Sequence, residues 1–311
     1  MSVAAVAAED LGRDYGSTRA LDGLSLRVGA GQQVGLLGPN GAGKTTAMLL
    51  LATLLRPTRG HAAVFGHDVV RARGAARHRL GLVFQEPTVD PFLTVRENLE
   101  FAAALSGLDR RQARTAIGLA LERMGLGPFA DRRARELSGG WRRLADIARA
   151  TLHAPSLLIL DEPTVGLDPE HRAALWHFLG ALRRDQGTAV LFSTHYLAEA
   201  EGSDEVVLLS GGLVVDRGSP AALMQPFGSS LLEVEGPGSD GLVAALEARG
   251  LPMLVVRTPT GCRIGLETHR DQAMELAGAA AGITRALLRE PSLEDVYFAR
   301  TSASAFRGQP S

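Results

Sequence analysis

Residues 38–46, Gly-Pro-Asn-Gly-Ala-Gly-Lys-Thr-Thr, put three glycines, a lysine and two threonines within nine positions. Such a loop can wrap tightly, and its successive N–H groups, continued by the N-terminus of a following helix, attract phosphate oxygens. The pattern G-x-x-x-x-G-K-[ST] carries this meaning only between a strand and a helix. Both are expected here: Val34 to Leu37 read as a buried strand, and a helix is expected from the loop through Leu55. The nucleotide-binding set is then Gly38, Pro39, Asn40, Gly41, Ala42, Gly43, Lys44, Thr45 and Thr46. Lys44 is expected to reach the β- and γ-phosphates of ATP, and Thr45 to ligate Mg²⁺. Of 33 basic residues, Lys44 is the one lysine and the rest are arginine. That usage points to a position where a compact ammonium is required.

A phosphate loop needs a carboxylate for the metal. "SLLILDEPTVGLD" (156–168) supplies one: an apolar strand, then Asp161 and Glu162 at its carboxyl end. Open parallel sheets bind ligands at that edge. Asp161 fits a Mg²⁺ ligand and Glu162 a general base or water-orienting group. A second apolar strand, "TAVLFSTH", ends at His195, which places a γ-phosphate sensor or proton-sharing group along the same edge. "LSGGW" (137–141) opens an amphipathic helix. Ser138 can cap it, Gly139 and Gly140 admit a ligand close to the backbone, and the helix end suits an anion. Leu144, Ile147, Ala148 and Thr151 recur at helical spacing and are expected on the core side.

Taken together and in this order, these segments resemble the ATP-binding cassette (ABC) ATPase family over roughly residues 1 to 228. The resemblance adds Gln85 in "VFQEP", bridging the metal, the attacking water and a membrane partner. It adds Tyr15 in "RDYGSTRALDGLSLRV", stacking on adenine, and Asp168 in "GLD", at the dimer contact. It implies that Ser138, Gly139 and Gly140 act on the nucleotide of a second subunit, in a head-to-tail homodimer formed with ATP. It also implies an integral membrane permease as partner, and a cytoplasmic protein peripheral on the inner face of the membrane. At Trp141 the sequence departs from the glutamine most common in the family, beyond the groups that would meet phosphate. "PSLEDVYFART" (291–301) resembles the closing motif of ATPase subunits of daunorubicin/doxorubicin-resistance and nodulation-factor exporters.

The elements that must position these residues make an α/β P-loop NTPase (RecA-like) core. Antiparallel strands are expected within residues 1 to 30 and 60 to 70, and a helical signature subdomain over about 88–153. Arg132, Arg133, Arg135, Arg142 and Arg143 cluster in that subdomain. Without interleaved aromatics they read as a solvated helical face and not as a nucleic-acid site. After "QPFGSS" (225–230) the texture changes to a small C-terminal α+β accessory domain over 229–301 with the order β-α-β-β-α-β, ferredoxin-like in type. Residues 302–311 read as a frayed tail.

Composition sets limits on function. A net charge of −1 gives no electrostatic case for nucleic acid or an anionic membrane surface. The lone Cys262 excludes a disulfide framework and a cysteine zinc site. No apolar run reaches the 18 or so residues that cross a bilayer. The resulting expectation is the ATP-hydrolysing subunit of an ABC transporter, exporting a small molecule or lipid-like substrate through a separately encoded permease. Import is the alternative. A non-transport ABC protein acting on DNA or ribosomes is disfavoured, because the chain has no long coiled coil, no zinc-binding cysteines and no second cassette.

Overall fold

The computed structural model describes residues 3–251 and 253–301; the expected tail at 302–311 lies outside the described residues. The chain divides into two compact units. The first comprises residues 1–195 and 209–214, and the second 196–208 and 215–311. The boundary expected near residue 228 falls inside the second unit.

The first unit opens with β1 (Val6–Tyr15) and β2 (Thr18–Val28), an antiparallel pair with register shifts in which Leu11, Leu21, Leu24 and Leu26 are buried. With β4 (Arg59–Val64) and β5 (His67–Asp68) they form a sheet in the order β2-β1-β4-β5. Between them, β3 (Gln33–Leu37) is buried at all five positions and leads through the glycine loop into α1 (Lys44–Leu51). The helix ends four residues before the expected Leu55. Thr53 adopts a left-handed backbone (φ 65°) and the chain approaches Pro57, and neither is compatible with continued helix.

The short α2 (Arg73–Arg77) precedes β6 (Leu80–Val83). Strand β6 is parallel to β7 (Leu157–Leu160), which is parallel to β8 (Ala189–Thr194), which is parallel to β3. All four run the same way, so Leu37, Val83, Leu160 and Thr194 bring their carboxyl ends to one edge. Each of β3, β7 and β8 is apolar throughout or nearly so, as strands covered on both faces must be.

Three helices lie between β6 and β7. Helix α3 (Val95–Leu105) starts with a capping box made by Thr94 and Glu97, and α4 (Arg110–Arg123) with one made by Asp109 and Gln112. Helix α5 (Gly139–Thr151) is capped by Ser138, whose side chain accepts from Trp141 N at 3.4 Å. Leu144, Ile147, Ala148 and Thr151 are buried on it, as the spacing predicts. Helix α6 (Pro169–Gln186) links β7 to β8.

Strands β9 (Glu205–Ser210) and β10 (Leu213–Gly218) run across the division between the units. In the second unit, α7 (Pro220–Met224) is followed by β11 (Ser230–Glu235), α8 (Ser239–Glu247), β12 (Met253–Thr258), β13 (Gly261–Leu266), α9 (Arg270–Ala279) and β14 (Arg285–Arg289). The sheet order β12-β13-β11-β14, antiparallel throughout, is the ferredoxin-like arrangement that the β-α-β-β-α-β order predicts. Leu232, Val234, Leu242, Leu246, Cys262 and Ile264 form its core. Burial raises the Cys262 thiol pKa, so the residue behaves as a small apolar side chain. Helix α10 (Leu293–Thr301) closes the unit.

Candidate ATP site

The glycine loop is built by backbone constraint. Gly38 has φ 152° and a Cβ there would lie 2.2 Å from Leu209 O; Gly43 has φ 102° and its Cβ would lie 2.7 Å from Ala20 O. No side chain fits at either position. The loop borders a cavity of about 380 Å³ lined by residues 39–46 with Ala20, Gln85 and Glu162.

Inside that cavity Lys44 is 5% exposed. Its Nζ donates to Gly38 O at 2.6 Å and to Pro39 O at 3.2 Å, and pairs with Glu162 Oε1 at 3.1 Å. Glu162 Oε2 lies 2.8 Å from His195 Nδ1. The start of α1 and the ends of β7 and β8 thus set lysine, carboxylate and imidazole in a row. Glu162 also has a left-handed backbone (φ 46°), which a residue other than glycine adopts only where its surroundings hold it. Its N–H donates to Ser193 Oγ at 2.9 Å, and the same hydroxyl donates to Asp161 Oδ1. Ser193 thereby orients both neighbouring acids, a role the sequence reading did not assign although "STH" was in view.

The other expected residues divide. Gln85 is exposed and lines both the loop cavity and a second one of about 450 Å³, shared with Gly139, Arg142, Arg143, Val165 and Gly166. Ser138 and Gly139 are exposed, and neither they nor Gly140 belong to the described lining of the loop cavity. Tyr15 is 45% exposed, with the Arg13 guanidinium 4.8 Å from its ring centroid; it is also absent from that lining. Asp168 caps α6, accepting from His171 N at 2.9 Å and facing His171 Nδ1 at 2.7 Å. The backbone hydrogen bond from His171, then the imidazole, hold its carboxyl below the usual range. Trp141 packs between Phe129 and His171, each ring centroid 4.6 Å away.

One expectation is corrected. Arg132, Arg133 and Arg135 are exposed, but Arg143 is 3% exposed and does not belong to a solvated face. Its guanidinium is turned inward against backbone carbonyls near Gln85 and Glu162. A cation read from sequence alone defaults to the surface, and no neighbouring residue type signals otherwise.

The donor set fits a Mg–nucleotide. Among the described residues no group of three or more His, Cys, Asp or Glu could hold a metal. Mg²⁺ is ordinarily bound by one or two protein oxygens together with phosphates and water; Thr45 lines the loop cavity, and Asp161 directly precedes Glu162, which lines it too.

Comparison with known proteins shows the family. Residues 21–165 match the family described as ABC transporter. The daunorubicin resistance ATP-binding protein DrrA3 of Streptomyces coeruleorubidus is 38% identical over 307 residues, covering 96% of each chain. The Nod factor export ATP-binding protein I of Burkholderia orbicola is 38% identical over 250 residues, 80% of this chain and 82% of that one. Among solved structures, cbiO1 from Clostridium perfringens, part of the ABC transporter complex cbiONQ, superposes with a TM-score of 0.65 at 28% identity, over 71% of this chain and 90% of that one. A dimeric ATP-binding cassette in a post-hydrolysis state with ADP and Pi superposes with a TM-score of 0.63 at 25% identity, over 69% of this chain and 98% of that one. The chain belongs to the ABC transporter family, as one of its ATP-binding, ATP-hydrolysing subunits.

Proposed function

We propose that this subunit drives export of a small molecule or lipid-like compound through a separately encoded membrane permease, from the cytoplasmic face. The export reading is supported by likeness to resistance and Nod factor export proteins over most of the chain. The need for a separate membrane partner is supported by the helices: among the described residues none is long and apolar enough to cross a membrane.

In this reading the loop N–H groups and Lys44 bind the β- and γ-phosphates, and Thr45, Asp161 and Gln85 hold Mg²⁺. Held there, Mg²⁺ would neutralise phosphate charge. Glu162 accepts the proton of the attacking water, and His195, hydrogen-bonded to it, orients the carboxylate and the terminal phosphate. A bound polyphosphate competes with Glu162 for Lys44, which releases the carboxylate for that work. Tyr15 stacks on adenine. Ser138, Gly139 and Gly140 donate to the nucleotide of a second copy, with Asp168 near the contact, so two copies enclose two nucleotides head to tail. The exposure of the Ser138 turn, apart from its own loop cavity, favours this reading.

The observation that carries the proposal is Glu162 set between Lys44 and His195. Glu162→Gln keeps shape but removes basicity, so turnover is expected to fall by roughly 10²–10⁴-fold. ATP affinity is expected to survive and size-exclusion chromatography to show an ATP-dependent dimer. Lys44→Ala is expected to bind weakly and form none. Hydrolysis at the wild-type rate by Glu162→Gln would remove Glu162 from the mechanism.

A further inference from the structure

Arg143 lies one turn into α5 and is 3% exposed. A guanidinium carries five N–H donors, and here five backbone carbonyls receive them. Nε donates to Pro163 O at 3.0 Å. One terminal nitrogen donates to Phe84 O and to Gln85 O, the latter at 3.1 Å. The other donates to Asp161 O at 2.9 Å and to Glu162 O at 3.1 Å. The five acceptors come from two segments remote in sequence from α5 and from each other: the turn after β6 and the turn after β7.

Three of these acceptors are consecutive and centred on Glu162, the residue with the left-handed backbone. A strained residue persists only when its surroundings over-determine it. Arg143 supplies that constraint from one side and Ser193 from the other. A second grip lies one turn further along the same helix face. Asp146 is fully buried and its Oδ1 accepts from Thr88 Oγ1 at 2.9 Å, so α5 holds both ends of the segment 84–88.

We infer that Arg143 is a positioning residue for ATP hydrolysis. It fixes the backbones of Glu162 and Gln85 as one unit and ties that unit to the helix that begins at Ser138. Resting on the roles proposed above for Glu162 and Ser138, this gives a direct route between the two nucleotides of a pair. Engagement of the Ser138 turn with a partner's phosphate bears on α5, and α5 bears through one guanidinium on the chain's own Glu162 and Gln85. The work of Arg143 is geometric, so its loss affects turnover and not nucleotide affinity.

Two variants of the full chain test this. Arg143→Lys keeps a cation but offers three donors from one point, which cannot span five carbonyls. Arg143→Gln removes the charge, leaving no buried cation short of acceptors. Steady-state hydrolysis of Mg-ATP and equilibrium ATP binding are measured for both, with circular dichroism to verify folding. Misplacement of a catalytic group by about 1 Å can cost on the order of 10²-fold, so kcat is expected to fall roughly 10–100-fold in both, with KM and ATP affinity within about 3-fold of wild type. Arg143→Lys combined with Glu162→Gln is expected still to form the ATP-dependent dimer. Turnover within about 2-fold of wild type in both variants would overturn the inference, on the same scale of effect. So would a loss of affinity equal to the loss of kcat, or failure of both variants to fold. Wild-type protein that neither binds nor hydrolyses ATP would instead sink the underlying functional reading.

Discussion

At the residue scale the site depends on groups with very different visibility in a sequence. Lys44, Asp161 and Glu162 announce themselves by spacing after apolar strands, and the structure brings Lys44 and Glu162 to 3.1 Å. Ser193 and Arg143 do not: Arg143 donates to backbone carbonyls and Ser193 accepts from the Glu162 N–H, and backbone partners leave no mark in residue types. Ser193→Ala is therefore an informative change: it leaves the buried Glu162 N–H without its partner, which costs about 1–3 kcal/mol. The expected result is a lower thermal midpoint together with slower hydrolysis, and a rate equal to wild type would show that the hydroxyl does not set the acid pair. Trp141 belongs to a third kind. The glutamine usual in the family is replaced by a ring wedged between Phe129 and His171. Trp141→Gln is expected to retain ATPase activity at some cost in stability, whereas Ser138→Arg abolishes activity by blocking the exposed turn. Comparable inactivation by both, with folding intact, would make the indole part of the catalytic surface.

At the scale of elements, helical periodicity makes the insert over about 88–153 legible. The Thr94–Glu97 and Asp109–Gln112 boxes that start α3 and α4 are what the structure adds. The end of α1 is not legible, since the apolar run continues past Leu51 while the left-handed Thr53, ahead of Pro57, has already ended the helix. The closing motif "PSLEDVYF" is a comparable case: its pattern is visible but its purpose is not. Asp295 in α10 is fully buried and takes Arg289 through both oxygens at 2.7 Å, Arg263 at 3.1 Å, and Ser292 N and Oγ at 2.9 Å. Burial alone would raise its pKa, but the hydrogen bonds from Arg289 and Ser292 outweigh it and hold the carboxyl below its ordinary value of 3.8. A carboxyl depressed by folding stabilises the fold fully above that ordinary value, and the contribution is lost as pH falls toward the lower folded one. Asp295→Ala removes the anion from two arginines and is expected to destabilise the second unit by about 3 kcal/mol. The check is thermal unfolding at pH 7 and again below pH 3.8, where the gap between variant and wild type should narrow. A gap independent of pH would mean that packing, not charge, explains the loss.

For the whole molecule, all the residues assigned to phosphate, metal and water lie in the first unit. A chain ending at Gly228 is accordingly expected to bind Mg-ATP with affinity near that of the full chain. It would not be an innocent cut. Phe227 is 2% exposed, and a Cβ at Gly265 of β13 would lie 2.6 Å from Phe227 O, so the shortened chain loses the packing of β13 against the Phe227 backbone. Lower solubility with retained binding is the expected pair of results, and a folded, soluble truncation unable to bind nucleotide would contradict the assignment of the site. The arginine-for-lysine usage also has a practical outcome. Because Lys44 is the one lysine, amine-directed acylating esters and cross-linkers find no other side-chain amine. Apart from any free α-amine, covalent modification of this protein by such reagents reads out a single atom, Lys44 Nζ. Mass spectrometry of the acylated peptide, with and without ATP, would then report occupancy of the glycine loop without a label, a mutation or a purified permease.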